Sequence, residues 1–136
     1  MKMTRLKKMS LSLAGVALAA MPALAHHAFS AEFDSNKLIT LTGTCTKVEW
    51  TNPHAHFHLS VKAENGADAN WDFELASPNG LMRKGWTRTS LKAGDTVTAQ
   101  GYLSKDGSNI ANARSVTLPD GRQLFAGSSY DEKDQQ

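Results

Sequence analysis

The chain has one cysteine, Cys45, and therefore closes no disulfide within itself. It has no Cys-x-x-Cys pair, no glycine-rich phosphate loop and no Ser/His/Asp spacing. Dithiol redox chemistry, nucleotide cradling and triad hydrolysis lose their usual carriers. Asp106-Gly107-Ser108 lacks the alternating acidic ligands of a calcium loop and reads as a turn. Histidine is scarce as well, with five residues in two places: His26 and His27 side by side, and His54, His56 and His58 in one short run.

A basic cluster is also missing once the chain is divided. Lys2, Arg5, Lys7 and Lys8 precede a short apolar run, Leu11 to Ala20, and the small-x-small triplet Ala23-Leu24-Ala25. That order reads as a secretory leader, its apolar part too short for a membrane span. Four of the fifteen basic residues lie in this leader and none of the thirteen acidic ones does, so the chain from His26 on carries a net charge of −2. The basic pI of the whole chain is thus no nucleic-acid footprint. The expected organisation is a leader over 1–25, one β domain over 26–126 and a disordered polar tail over 127–136. The expected location is the periplasm, with no membrane insertion after cleavage, no nucleic-acid partner and a monomeric state.

What the sequence does have is alternation. From His54 to Ala63, His54, His56, His58, Ser60 and Lys62 share one parity, and Ala55, Phe57, Leu59, Val61 and Ala63 share the other. Period two with one apolar set predicts a half-buried strand with the histidines on its outer face. Imidazoles two residues apart stand about 6.6 Å apart along a strand, so an adjacent pair reaches one metal ion, whereas His54 and His58 are about 13 Å apart.

Upstream, Lys37 to Trp50 is rich in Thr, Val, Ile and Leu and predicts a long first strand. Its apolar parity changes between Cys45 and Val48, which predicts a bulge near Thr46. Cys45 itself reads as a small buried residue. Thr51-Asn52-Pro53 is a corner, and Phe29 and Phe33 are anchors of the lead-in. Downstream, Trp71 to Leu75 predicts a third strand with Trp71, Phe73 and Leu75 inward. Odd then pairs with odd, which places Asp72 and Glu74 on the histidine face, with Glu74 opposite His58 or Ser60. Ser77-Pro78 is an N-cap and first helical turn that Gly85 stops. Strands over Thr96 to Leu103 and Ile110 to Leu118 follow, then a short edge piece at Arg122 to Phe125. The fold class is all-β: a small five-stranded OB-like barrel with one short helix.

Several motifs occur together: His26-His27-x-Phe29-x-Ala31-Glu32-Phe33-Asp34, Trp50-x-Asn52-Pro53-His54, Trp71-x-Phe73-Glu74, Ser77-Pro78-Asn79-x-Leu81-x-Arg83-x-Gly85-Trp86 and Asp106-Gly107-Ser108-x-x-Ala111-Asn112-Ala113. With them the chain resembles a family of small exported proteobacterial proteins of uncharacterised function, from His26 to about Gly127. The resemblance implies export and one small β domain, without an assigned activity. His26, His27 and His54 match its pattern, and His56 and His58 are particular to this sequence.

The chemistry expected of these residues is transition-metal binding. An N-terminal histidine offers its α-amine and its imidazole to one ion, and a second imidazole completes a nitrogen-rich set suited to copper. The metal candidates are His26, His27, His54, His56 and His58, with Glu74 orienting an imidazole from behind. The leading expectation is a small periplasmic binding protein carrying a copper ion on histidines. The alternative is a metal-free OB-like module for a protein or small-molecule partner, and the third is a copper redox enzyme. No catalytic residue stands out, so the chain reads as a binder rather than an enzyme.

Overall fold

The computed structural model describes residues 28–127. The expected leader, His26, His27 and the expected tail from residue 128 on lie outside the described residues, while Gly127 is buried. Six strands and one short helix follow in order: β1 (Phe33–Glu49), β2 (His56–Lys62), β3 (Asp68–Glu74), α1 (Pro78–Arg83), β4 (Thr96–Ser104), β5 (Ile110–Thr117) and β6 (Gln123–Phe125). Residues 28–32 are helical ahead of β1. No helix among the described residues is long and apolar enough to cross a membrane.

The strand pairings make a ring. β1 pairs antiparallel with β4 over Phe33–Thr44 and with β2 over Thr44–Glu49. β2 pairs with β3, β4 with β5, and a short parallel ladder between β3 and β5 closes the circuit. The five strands of the ring and the single helix between β3 and β4 match the expected all-β, OB-like order. β6 is the edge piece, paired only with β5.

A strand that serves two partners must coil, and the sequence supplies the means. The β1–β2 register slips between Cys45 and Lys47, which leaves Thr46 as the bulged residue where the parity change falls. Gly43 lies at the turnover between partners. A Cβ there would stand 2.2 Å from the Ser60 carbonyl oxygen, so only glycine lets the strands approach this closely. Gly101 does the same for β4 against β5, where a Cβ would meet the Asn112 carbonyl at 2.7 Å.

Inside the ring, Ala55, Phe57 and Leu59 of the β2 arm meet Phe73 of β3 and Leu75 just after it, with Val97, Ala99, Ala111, Ala113 and Val116 from the other side. The Phe57 and Phe73 rings stack with centroids 5.0 Å apart. Cys45 is buried in this core, and burial pushes its thiol pKa up. Phe29 and Phe33 are both buried. Trp50 and Trp71 are half-buried at the core margin, less enclosed than a core reading implies. Trp86 is fully enclosed and donates its indole N–H to the Phe125 carbonyl at 2.8 Å.

The ends of elements follow local chemistry. The Ser77 hydroxyl accepts the Gly80 amide at 3.2 Å, Pro78 occupies the first helical turn, and Gly85 at φ 93° ends α1. β1 begins at Phe33, four residues ahead of the expected Lys37, because Phe33 already pairs with Ser104 and the Lys105 amide donates to the Glu32 carbonyl. β3 begins at Asp68 rather than Trp71, because the hairpin turn is tighter than its polar run suggests. The Ala63 amide donates to the Ala67 carbonyl, the Asn65 side chain accepts the Ala67 amide, and Gly66 takes φ 80°.

Candidate functional site

The outer face of β2 carries His56 and His58, and His54 shares that parity just ahead of the strand; each is half-exposed as the alternation requires. Each meets one carboxylate. His56 Nδ1 lies 2.9 Å from Asp72 Oδ1, and His58 Nε2 lies 2.8 Å from Glu49 Oε2. His54 Nδ1 stands 3.2 Å from Glu74 Oε1. The His56 and His58 contacts are hydrogen bonds, and the His54 contact is an ion-pair distance; in each, a carboxylate that is ionised offers only lone pairs and favours the hydrogen on the ring nitrogen facing it. The remaining nitrogen is Nε2 on His54 and His56 and Nδ1 on His58.

The contacts run diagonally across the ladders. The β2–β3 register sets His56 opposite Glu74 and His58 opposite Asp72. This corrects the expectation that Glu74 faces His58 or Ser60: the five-residue turn Ala63–Ala67 shifts the pairing toward the start of β2. Each β3 carboxylate then reaches the histidine two positions before its direct partner, within range of the diagonal neighbours on a twisted antiparallel pair. From the other side, Glu49 faces His56 across the β1–β2 ladder and bonds to His58.

His54 differs from the other two. It precedes β2 and sits at the corner that follows the cis Asn52–Pro53 peptide. The corner is pinned: the Thr51 hydroxyl donates to the His54 carbonyl at 3.2 Å, Ala55 donates to the Ala76 carbonyl, and Leu75 donates to the Ala55 carbonyl. The carboxylate behind its ring is also the most enclosed of the three. The Glu74 side chain is 17% exposed, against 31% for Asp72 and 36% for Glu49. Asn112 on β5 donates its Nδ2–H to Glu74 Oε1 at 3.2 Å, across the parallel ladder that pairs the two residues.

The electrostatics separate Glu74 from Glu49. Burial pushes the Glu74 carboxyl above its ordinary value, and the negative charge of Glu32 acts in the same direction. The His54 and His56 charges and the Asn112 hydrogen bond oppose this without cancelling it. Glu49 goes the other way. Its hydrogen bond to His58, then that to Lys47, lowers it to about 2. The consequences for stability have opposite signs. The Glu49 contribution is fully present above its ordinary 4.5 and fades as pH falls from there toward 2. Folding instead disfavours the ionised form of Glu74. That penalty is absent well below pH 4.5 and grows as pH rises through the elevated folded value. Glu74→Gln is therefore expected to raise the thermal midpoint at pH 8, with the gain shrinking as the buffer approaches pH 4.5. A midpoint at pH 8 below that of the unmodified protein would show that the His54 contact outweighs burial.

Among the described residues, no group of three or more His, Cys, Asp or Glu side chains is placed to hold a metal ion. His54, His56 and His58 are brought to one face but not to one point. Sequence reasoning placed Asp72 and Glu74 on that face and missed Glu49 and Asn112. The bulge at Thr46 that turns Glu49 toward the histidines was legible, and its consequence for Glu49 followed from parity. Asn112 carried a fainter signal, a lone amide between Ala111 and Ala113 in a small-residue strand. An open groove of about 360 Å³, lined in part by Thr87, Ser90, Lys92, Pro119 and Arg122, shares no residue with the histidine face.

Glu74 thus meets both His54 and Asn112, and the charge of Glu32 acts on it. Residues 14–113 match DUF6152, a family of unknown function. The chain belongs to this family. No curated protein matches it. The DUF6152 match covers β1 through β4 and the first half of β5, so it includes His54, Glu74 and Asn112 along with His26 and His27.

Proposed function

We propose that this DUF6152 protein is a transition-metal binding module of the periplasm, with copper as its metal and His54 as the ligand contributed by the β ring. The observation that carries the reading is the His54–Glu74–Asn112 arrangement. A histidine that ligates a metal through one ring nitrogen commonly has the other turned toward a carboxylate, which fixes ring orientation and raises basicity. His54 has that form: Nδ1 faces Glu74 at 3.2 Å, its side chain is 42% exposed, and its Nε2 has no protein partner among the described residues.

One imidazole is not a site. The described residues alone do not supply a full donor set for copper, and the remaining donors in this reading are the imidazole and α-amine of His26, with His27, His56 or His58 as further nitrogens. The α-amine has an ordinary pKa of about 7.7–8.0, so it releases its proton to a metal at neutral pH. Export through the leader 1–25 would create that amine by cleavage after Ala25.

The lack of a three-residue donor group on the described surface favours a second reading, in which the β ring binds a protein or small molecule without metal. A copper redox enzyme is the third, and it requires turnover beyond that of free copper. Titration of Cu(II) into the protein beginning at His26, followed by electron paramagnetic resonance, separates the first two. The metal module gives one tight equivalent with a nitrogen-dominated tetragonal spectrum. His54→Ala is then expected to weaken it by roughly 100-fold or more, since removing a partner behind a ligand already costs about 10–100-fold. Weak uptake of several equivalents, unchanged by His54→Ala, would leave the metal-free reading.

A further inference from the structure

The side chain that holds Glu74 is expensive to bury. Asn112 lies on β5 between Ala111 and Ala113, all three buried, and is itself only 4% exposed. Its Nδ2 donates to Glu74 Oε1, while its Oδ1 is buried with no hydrogen-bond partner among the described residues. An unsatisfied buried acceptor costs roughly 1–3 kcal/mol. An apolar residue of similar volume would remove that penalty and fit a strand that also buries Val116.

The one bond Asn112 does make falls on a particular atom. Glu74 Oε1 is the oxygen that receives the Asn112 amide, and it is also the oxygen 3.2 Å from His54 Nδ1. The antiparallel register sets Glu74 opposite His56 and the strand twist brings His54 within its reach as well, so the bond from Asn112, its neighbour in the parallel register, bears on which of the two rings its carboxylate faces. We infer that Asn112 is a positioning residue: it fixes the Glu74 carboxylate so that Oε1 faces His54 Nδ1, and so presents His54 Nε2 to the ligand. For the metal this rests on the reading of His54 as a ligand; for the orientation of His54 it does not.

Two readouts keep these apart. The first uses the metal-free protein at pH 8 and follows the ring nitrogens of His54 by long-range ¹H–¹⁵N correlation. With Glu74 in place, the hydrogen sits on Nδ1, because the other tautomer would aim a lone pair at a carboxylate oxygen. In Asn112→Leu, the expected result is loss of the Nδ1–H tautomer in favour of a mixture, at a thermal midpoint equal to or above that of the unmodified protein. An unchanged His54 tautomer and unchanged ring shifts would overturn the inference and reduce Asn112 to a structural residue. Should Asn112→Leu fail to fold, the smaller Asn112→Ala, which matches the flanking Ala111 and Ala113, removes the same donor and carries the same test. The second readout is Cu(II) affinity, expected to fall about 10–100-fold in the same variant. A tautomer change without tight copper binding in any form would refute the metal reading and leave Asn112 as the residue that orients His54.

Discussion

Phe73→Ala is expected to destabilise the ring by about 3–5 kcal/mol, the usual range for removing a buried aromatic. Phe73 has no exposed surface and stacks on Phe57, a pair that adds about 0.5–1.5 kcal/mol beyond area burial. The site offers little chance of collapse. Phe73 belongs to β3, which is hydrogen-bonded to β2 on one edge and to β5 on the other at Phe73 itself, paired with Ala111. Its ring also packs where Gly101 has no side chain to follow it inward. For a domain of about 100 residues, with a total stability of about 5–15 kcal/mol, such a loss lowers the thermal midpoint by tens of degrees. Phe125→Ala is the control. That ring is 49% exposed on the edge strand, and its removal is expected to stay within about 0.5 kcal/mol. Thermal unfolding followed by circular dichroism checks both. Equal, small shifts would mean that the Phe57–Phe73 stack does not hold the ring together.

The same comparison indicates what kind of information a sequence carries. Phe73, Phe57, Leu59 and Leu75 are legible as core because a strand's period is local. The bulge at Thr46 is legible for the same reason, since a phase change needs only neighbouring residues to be seen. Register is different. By composition alone, Glu64 to Asn70 reads as one long turn. It is split by the Asn65 side chain and Gly66, which close the chain within Ala63–Ala67 and return Asp68, Ala69 and Asn70 to the strand. A shift of two residues leaves the buried face intact, because odd still meets odd, so hydrophobic pattern does not select between such registers. It does decide which carboxylate meets which histidine. Asn112 lay further from reach, since its role depends on the parallel β3–β5 pairing that closes the ring across 38 residues of sequence.

Placing Ala23-Leu24-Ala25 ahead of a His26 terminus is expected to weaken Cu(II) binding by orders of magnitude. A free N-terminal histidine forms a six-membered chelate through its amine, Cα, Cβ, Cγ and Nδ1. Acylating that amine turns it into an amide nitrogen, which is no ligand at neutral pH unless the metal displaces its proton. The protein beginning at Ala23 still has a free amine, but three residues away, on the order of 10 Å along an extended chain. The length of the extension matters. One added residue would make His27 third in the chain, and two would make His26 third. Either form would let the amine, two backbone nitrogens and an imidazole assemble a different square-planar copper site. The Ala23 form avoids that confusion and keeps every residue of the ring, including His54 and Glu74. A large loss of affinity in the Ala23 form, together with a loss in His54→Ala, assigns the donors to both the terminus and the ring. Equal affinity in the Ala23 and His26 forms would rule out the amine as a ligand. Copper would then be held by side chains alone, and the His56–Asp72 and His58–Glu49 pairs would be the next residues to remove.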